Sequence, residues 1–441
     1  MDAIWVAQTL GMDYIWIDSL CIIQDSPDDW AIESAKMGDV YGNSYLNIAA
    51  TRAADGSQGL FRIEHDHRNQ SFRASPSTQG RNKMTYHSVP LLLYQHSMLE
   101  APLSRRAWVV QERLLSRRTV HFTSSGIFWE CMQSNACEAF RDKIPGMLCF
   151  DDNTELTSFA KQPFQDYKWE HIVFFYTKCN LSFTRDKIPA ISGVGQRMAM
   201  LKNCSFVFGH LRDESFPLQL CWRRSDGFHD NLTTTRPKIW RAPSWSWAAI
   251  DCAVAYNWTN IDSSYNHAIK IYPYIEITDS PGNIAAPSSS RFSSNAILRI
   301  NCVFLLRKFH RADRWDSRQW RIDRLAVRAT AVFDYPPNLH DSFYLLPISK
   351  SALKDPPEDK ALDSLILRKT GRKNGQYQRM GYLKLELARF KHEQHFCFDE
   401  KMFCPRLEAG TLGNEDPLRP EDYVKEFMGE ESKFRYQIEL V

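Results

Sequence analysis

Three groups of side chains in this 441-residue sequence have the types and spacing to bind or react. Glu112 follows Trp108 by four positions, in a stretch from Ser104 whose pattern predicts a helix with Trp108, Gln111 and Leu115 on one side. Residues four apart share a helix face, so an aromatic wall and a carboxylate would open together. The same residues also read as structure, with Trp108 in a core and Glu112 pairing with Arg105, Arg106 or Arg113. Asp18 closes the run Tyr14-Ile15-Trp16-Ile17. A carboxylate there either faces a ligand or caps the next loop by accepting backbone N–H groups. Ser19 and Cys21 are nucleophile types, but neither lies beside a His in a recognisable motif, and Leu20 and Ile22 flank Cys21. Cys397 and Cys404, near His392 and His395, are metal-ligand types. Their spacing fits none of the usual zinc patterns and the chain has no CxxC pair, so no metal is expected.

The elements that must position these groups follow from periodicity. Residues 2–10 put Ala3, Val6, Ala7 and Leu10 on one helical face, and Gly11 offers a stop. Residues 14–18 are apolar on both faces, which predicts a central parallel strand covered by helices. Ser26 can cap the next helix, Pro27 suits its first position, and Asp28 and Asp29 favour the positive end of the dipole. Residues 45–49 read as a strand, and residues 64–85 as a polar insertion. Two more strands are expected near 119–122 and 127–130.

Beyond about residue 180 the texture changes. Alternating or β-branched runs at 295–306, 324–333, 343–348, 364–368, 381–387 and 434–440 predict a largely antiparallel β-rich region. A turn at 371–375 marks a hairpin, and residues 280–294, rich in Pro and Ser, a loop. Ser244-Trp245-Ser246-Trp247 has strand periodicity, with both Trp side chains expected in a β-core. The expected organisation is an α/β domain over 1–130, a connecting segment over 131–180 and a β-rich region over 181–441.

Composition limits the function classes. Hydrophobic residues make up 43% and aromatics 13%, enough for large cores rather than global disorder. The 55 Lys+Arg against 52 Asp+Glu leave no basic excess, and Arg105, Arg106, Arg113, Arg117 and Arg118 read as a solvated helix face. No nucleic-acid partner is expected. Eleven irregularly spaced Cys suit reduced thiols in a cytoplasmic protein. The N-terminal residues lack the pattern of a signal peptide, and apolar runs such as 172–176 fall far short of the ~20 residues of a membrane span.

Several blocks, in order, resemble the fungal heterokaryon incompatibility (HET) domain family. The first is Trp16-Ile17-Asp18-Ser19-Leu20-Cys21-Ile22-Ile23-Gln24, continuing to Met37, Tyr41 and Asn43. The second is Pro102-Leu103-Ser104-Arg105-Arg106-Ala107-Trp108-Val109-Val110-Gln111-Glu112-Arg113-Leu114-Leu115-Ser116. Asp186-Lys187-Ile188-Pro189-Ala190-Ile191-Ser192-Gly193 and Arg241-Ala242-Pro243-Ser244-Trp245-Ser246-Trp247-Ala248 fit longer family members. Against the family pattern the chain looks N-terminally shortened, starting after the first strand and a Leu-Ser-Tyr-like block.

The HET domain is distantly similar to Toll/interleukin-1 receptor (TIR) domains, which implies a flavodoxin-like parallel sheet. Some TIR domains cleave NAD with a Glu in a Trp-Cys-x-x-Glu motif; here Trp108 and Glu112 keep the spacing and Val109 replaces the Cys. The resemblance thus implies Glu112 as a catalytic carboxylate, Trp108 and Asp18 as nucleotide-binding residues, and NAD as a substrate rather than a bound cofactor. It implies a signalling effector of fungal non-self recognition and programmed cell death, an innate-immunity-like role, working with like domains or other incompatibility proteins. The alternative is a non-catalytic self-association module or an inactive, truncated member.

Overall fold

The computed structural model describes residues 1–61, 73–74, 86–87, 92–148, 161–225, 237–256, 270–273, 275–278, 296–302, 306–311, 320–322, 329–335, 343–352, 360–387, 419–427 and 436–441. The loop at 280–294, the Cys397–Cys404 group and, apart from residues 73–74, the insertion at 64–85 lie outside them. The chain divides into two compact units, Met1–Ser205 and Phe206–Pro287 with Arg291–Val441. Helices and sheets mix in the first, and the second is β-rich.

Local signals in the first unit are obeyed closely. Helix α1 (Asp2–Thr9) buries Val6 and Ala7. It ends where Gly11 takes φ +69°, so that Gly11 N–H bonds Gln8 O and Met12 N–H bonds Ala7 O. That paired closure needs a left-handed residue, which Gly adopts at least cost. A one-turn helix α2 (Asp18–Cys21) follows, then α3 (Pro27–Asn43), where Ser26 Oγ accepts the Asp29 N–H at 3.2 Å.

The strand expected at residues 14–18 is absent, which corrects the sequence reading. Residues 14–17 pair with no strand, Asp18 opens α2, and Tyr14 is 93% exposed. A run apolar on both faces becomes a central strand only if its backbone finds neighbours and helices cover both sides. Here it faces a cleft across from β1 (Asn47–Ala49), the edge strand of the sheet.

Strands β2 (Arg118–Thr123), β3 (Gly126–Cys131) and β4 (Asn135–Cys137) complete this sheet in the order β1-β2-β3-β4. β1 runs parallel to β2, with Ile48 opposite Val120, whereas β2–β3 and β3–β4 are antiparallel. Both faces of β2 are covered. Phe122 and Val120 join Val6, Leu60, Ala3 and Ile48 in an apolar cluster, while Thr119, His121 and Thr123 are buried as well.

Helix α4 (Ala107–Leu115), preceded by a 3-10 turn at Leu103–Arg105, packs with α3, with α5 (Trp169–Thr177) and with α6 (Pro189–Leu201). Gly193 N–H bonds Gln111 Oε1 at 2.7 Å, and a Cβ on Gly193 would stand 2.9 Å from the Gly38 Cα. The α3–α6 approach therefore depends on two facing glycines.

The second unit is built on one large sheet. Its central ladder joins β5 (Leu298–Cys302), β6 (Ala329–Phe333), β7 (Phe343–Ala352), β8 (Lys360–Lys369), β9 (Gln376–Leu387) and β10 (Tyr436–Leu440). The expected hairpin is β8–β9, closed by Gly371 at φ +72° and Gly375 at φ +66°. Pairing is antiparallel throughout the ladder except for β9 with β10.

The Ser244–Trp247 stretch is not a strand, a second correction. It forms a turn and a 3-10 helix at Trp247–Ala249, capped by Ser246 Oγ on the Ala248 N–H at 3.0 Å. Serines that can cap compete with strand pairing for local backbone groups. Both indoles are fully buried and Trp247 Nε1–H bonds Gly209 O at 2.7 Å, so the core role holds in a different backbone.

Beside them Arg379 is fully buried, stacked 3.4 Å from the Trp222 ring centroid and bonded to Asp334 at 3.1 Å, Leu220 O at 2.6 Å and Trp222 O. The eight described cysteines are free thiols; Cys221 and Cys302 are buried but Cys21 is exposed. Among the described residues no helix is long and apolar enough to cross a membrane.

Gly193→Ala should lower unfolding free energy by roughly 1–3 kcal/mol, because its methyl meets both the Gly38 backbone at 2.9 Å and the Gln111 amide at 2.6 Å, which is held there by its bond to the Gly193 N–H. Urea denaturation with unchanged stability would show that the helices part freely.

Candidate functional site

A cleft of about 1190 Å³ opens in the first unit. It is bordered by α1, residues 14–20, the end of α3, β1 with its following loop, and the inner side of α4. The wall from α4 carries Arg106, Val109, Glu112 and Arg113, and Asp18 and Tyr41 line it too. Two sequence-predicted site residues, Asp18 and Glu112, therefore share one cavity.

Glu112 is half-buried. Burial raises its pKa to about 7, assisted by the negative charge of Asp18. Arg106 and the nearby Tyr41 hydroxyl oppose that rise without cancelling it. Burial and the Glu112 and Asp18 charges in turn drive the Tyr41 phenol far above its usual range. The Trp16 indole stands edge-on to the Tyr41 ring, centroids 5.8 Å apart, and also lines the cleft.

Arg113, the neighbour of Glu112 on α4, points into the sheet. Its guanidinium makes bonds of 2.8 and 2.6 Å to the Glu130 carboxylate and 2.7 Å to Tyr94 Oη, which itself donates to Glu130. His121 Nε2 lies 3.1 Å from Glu130, and Thr51 Oγ1 2.9 Å from His121 Nδ1. Lys161 Nζ reaches Arg113 O at 2.9 Å and Thr119 Oγ1 at 3.3 Å.

Burial alone would raise the Glu130 pKa, but the Arg113 charge, its hydrogen bonds and that from His121 hold it well below the carboxylate range. Burial lowers His121 despite Glu130. Burial likewise pushes Lys161 down to about 8. Thr51, Arg113 and His121 also border the cleft.

The remaining candidates lie elsewhere or stay local. Trp108 is not among the cleft's lining residues. It packs edge-on to Trp30 with centroids 6.4 Å apart, and its Nε1–H points to Asp186 Oδ2 at 3.4 Å. Asp18 is exposed, and its Oδ1 accepts the Ser19 N–H at 2.7 Å, so it caps a turn while bordering the cleft. Ser19 borders the cleft as well, and Cys21 does not.

Arg113 departs from the expected solvated basic face, being buried against Glu130, while Arg105, Arg106, Arg117 and Arg118 remain exposed. Sequence reasoning missed Trp16, Tyr41 and Arg106 as cleft residues and the whole Thr51–His121–Glu130 chain. A signal was present: Thr119, His121 and Thr123 alternate with Val120 and Phe122 in a strand that a helix must cover. Among the described residues no group of His, Cys, Asp and Glu could hold a metal ion.

Residues 1–112 match the family model described as heterokaryon incompatibility protein (HET). The matched stretch, similar to a HET domain, runs to Glu112 and includes all but two of the residues that line the cleft. Comparison with curated proteins and with solved structures gave no match.

Two outcomes follow from these electrostatics. Because Glu112 holds its proton to about pH 7 when folded, but only to the ordinary carboxyl range when unfolded, its contribution to stability is greatest at low pH. It declines as pH rises from about 4.5 to about 7. Glu112→Gln should match wild type near pH 4 and exceed it by on the order of 1–3 kcal/mol at pH 8, measured by urea unfolding at both values. The gap should widen with pH; a gap that narrows instead would contradict the assigned shift. Separately, Glu130→Gln should cost about 3–5 kcal/mol by stranding Arg113 in the interior, read as a drop in melting temperature.

Proposed function

We propose that the HET domain of this chain acts as a signalling effector in heterokaryon incompatibility, cleaving NAD at the nicotinamide–ribose bond in the cleft and so leading to cell death. The observation that carries this reading is a carboxyl raised to about 7, Glu112, bordering a large cleft with Asp18. Carboxyl groups poised near neutrality in clefts are characteristic of sites that do chemistry. The volume, about 1190 Å³, exceeds that of ordinary small-ligand pockets and leaves room for a dinucleotide.

In this reading each wall has a task. Breaking a glycosidic C–N bond builds oxocarbenium character on the ribose, which ionised Glu112 stabilises. Asp18 accepts hydrogen bonds from ribose hydroxyls, and Arg106 faces the diphosphate. Trp16 with Tyr41 offers the flat surface that the family resemblance assigned to Trp108. A flavodoxin- or TIR-like fold belongs to the same proposal. Its support is the parallel β1–β2 pair, beside whose free edge the cleft runs.

A second reading, self-association, is favoured by one observation. Large apolar side chains rim the cleft in the open, among them Tyr14, Leu20 (75% exposed) and Tyr45, beside the edge of β1 that pairs with no strand among the described residues. Exposed apolar patches and free strand edges both invite a protein partner.

Purified chain incubated with NAD should release nicotinamide, with the rate rising as pH climbs through about 7 and Glu112 loses its proton. Glu112→Gln should abolish release; equal turnover by both proteins removes Glu112 from the reaction. For the second reading, light scattering should report assemblies that Tyr14→Ser with Leu20→Ser dissolves, and a strictly monomeric wild type would rule it out.

A further inference from the structure

The floor of the cleft holds a second reactive arrangement that the nucleotide reading does not use. Thr51 lies just past the carboxyl end of β1, its hydroxyl 2.9 Å from His121 Nδ1. His121 sits opposite on β2, and its Nε2 is 3.1 Å from Glu130 on β3. Glu130, held ionised by Arg113, can only accept, so it fixes the tautomer with hydrogen on Nε2. The Nδ1 lone pair is then free to take the Thr51 proton. The other acceptor near Thr51 Oγ1, Ala49 O at 3.4 Å, is longer and weaker. Hydroxyl, base and orienting carboxylate in series, beside a cavity, is the arrangement that activates a nucleophile, whatever its position in the chain.

We propose that Thr51, His121 and Glu130 form a nucleophilic relay for acyl transfer to water, acting on ester or thioester substrates that enter the cleft. This proposal is independent of NAD cleavage. Thr51 Oγ attacks the substrate carbonyl carbon as its proton passes to His121 Nδ1. Collapse of the tetrahedral adduct breaks the bond to the leaving alcohol or thiol, which takes the proton from His121. Water, deprotonated by the same imidazole, then hydrolyses the Thr51 ester, releasing a carboxylic acid and restoring the hydroxyl.

Surroundings suit the base. Burial keeps His121 uncharged, the form that accepts a proton, while Arg113 and Lys161 facing it from α4 and the segment beyond β4 oppose its protonation. Glu130 counters them and steadies the imidazolium as it forms. Arg106, exposed on the cleft wall, is the cation available to a substrate carboxylate or to negative charge on the carbonyl oxygen.

The test uses the full chain and p-nitrophenyl acetate. Wild type should release a burst of p-nitrophenol and carry an acetyl group on the peptide containing Thr51, identified by mass spectrometry. Thr51→Val, which keeps the side-chain shape, should lose the adduct and slow release roughly 100-fold or more, whereas Thr51→Ser should restore both. Thermal melting of each variant separates loss of the hydroxyl from loss of fold. Absence of an adduct on wild-type Thr51, or equal bursts from wild type and Thr51→Val, would overturn the proposal and leave the relay a purely structural hydrogen-bond chain. Nicotinamide release recorded in the same samples lets the two activities stand or fall separately.

Discussion

Inside the first unit, the Arg113–Glu130 pair does the most to decide where everything else goes. Two charged side chains, each almost free of solvent, are tolerated in an interior only when geometry and extra hydrogen bonds compensate their lost hydration. Here the compensation comes from two guanidinium–carboxylate contacts, from Tyr94 and from His121. Each of those partners sits on a different element, so satisfying one carboxylate fixes α4 against β3, β3 against β2, and the segment before α4 against both. A hydrophobic contact could supply similar energy but would allow sliding. A two-pronged ion pair sets the rotation of the helix, since shifting α4 by one residue would remove Arg113 from reach.

That rotation determines the chemistry of the cleft. Consecutive helix residues point about 100° apart. With Arg113 directed into the sheet, Glu112 is turned toward the cavity, and Arg106 stands almost two turns earlier, at the N-cap of the same helix. The opposite arrangement would have hidden a carboxyl in the core and left a guanidinium facing solvent. Gln111, on the next position back, bonds the Gly193 backbone and ties the third side of the helix to α6. Three successive residues thus engage the neighbouring helix, the cleft and the sheet. The second unit uses the same device separately: Arg379 is a fully buried cation there, and its carboxylate and carbonyl partners knit β9 to the Trp-rich turns.

Much of this frame was legible in the amino-acid order, for physical reasons that differ by element. The cap of α3 and the glycine stop of α1 are set within four residues, so Ser26, Pro27 and Gly11 suffice to read them. The β8–β9 hairpin is equally local, with alternation on both arms and glycines at its turn. The segment 14–18 failed because a strand is not a local object. Its apolar run specifies burial only if another backbone lies alongside, and here the cleft lies there instead. Ser244–Trp247 failed for the converse reason, since a seryl cap and a turn outcompeted an alternating pattern that was only four residues long. Asp18 and Glu112 could be singled out from spacing and resemblance. Thr51, His121 and Glu130 are spread over some eighty residues and come together only through the register of β1, β2 and β3.

The same non-locality explains why Trp108 and Glu112 part company. Spacing by four guarantees a shared helix face, but a helix packed on several sides divides each face among its neighbours. Trp108, a turn nearer the N-terminus, meets Trp30 of α3 and Asp186 before α6, while Glu112 reaches Tyr41 one helical stretch further along α3. Tyr41 follows Trp30 by eleven residues, close to three full turns, so both project from one side of α3. The two helices therefore meet along a line: an indole pair packs edge-on at one end, and the other end opens as a phenol and a carboxyl at the cleft. At that second end, burial of the carboxyl together with the Asp18 charge raises Glu112 toward neutrality against the pull of Arg106. The aromatic residue of the motif thus packs between helices away from the cleft, and the rings that border the cavity with the carboxyl are Tyr41 and Trp16, which lie far from it in sequence.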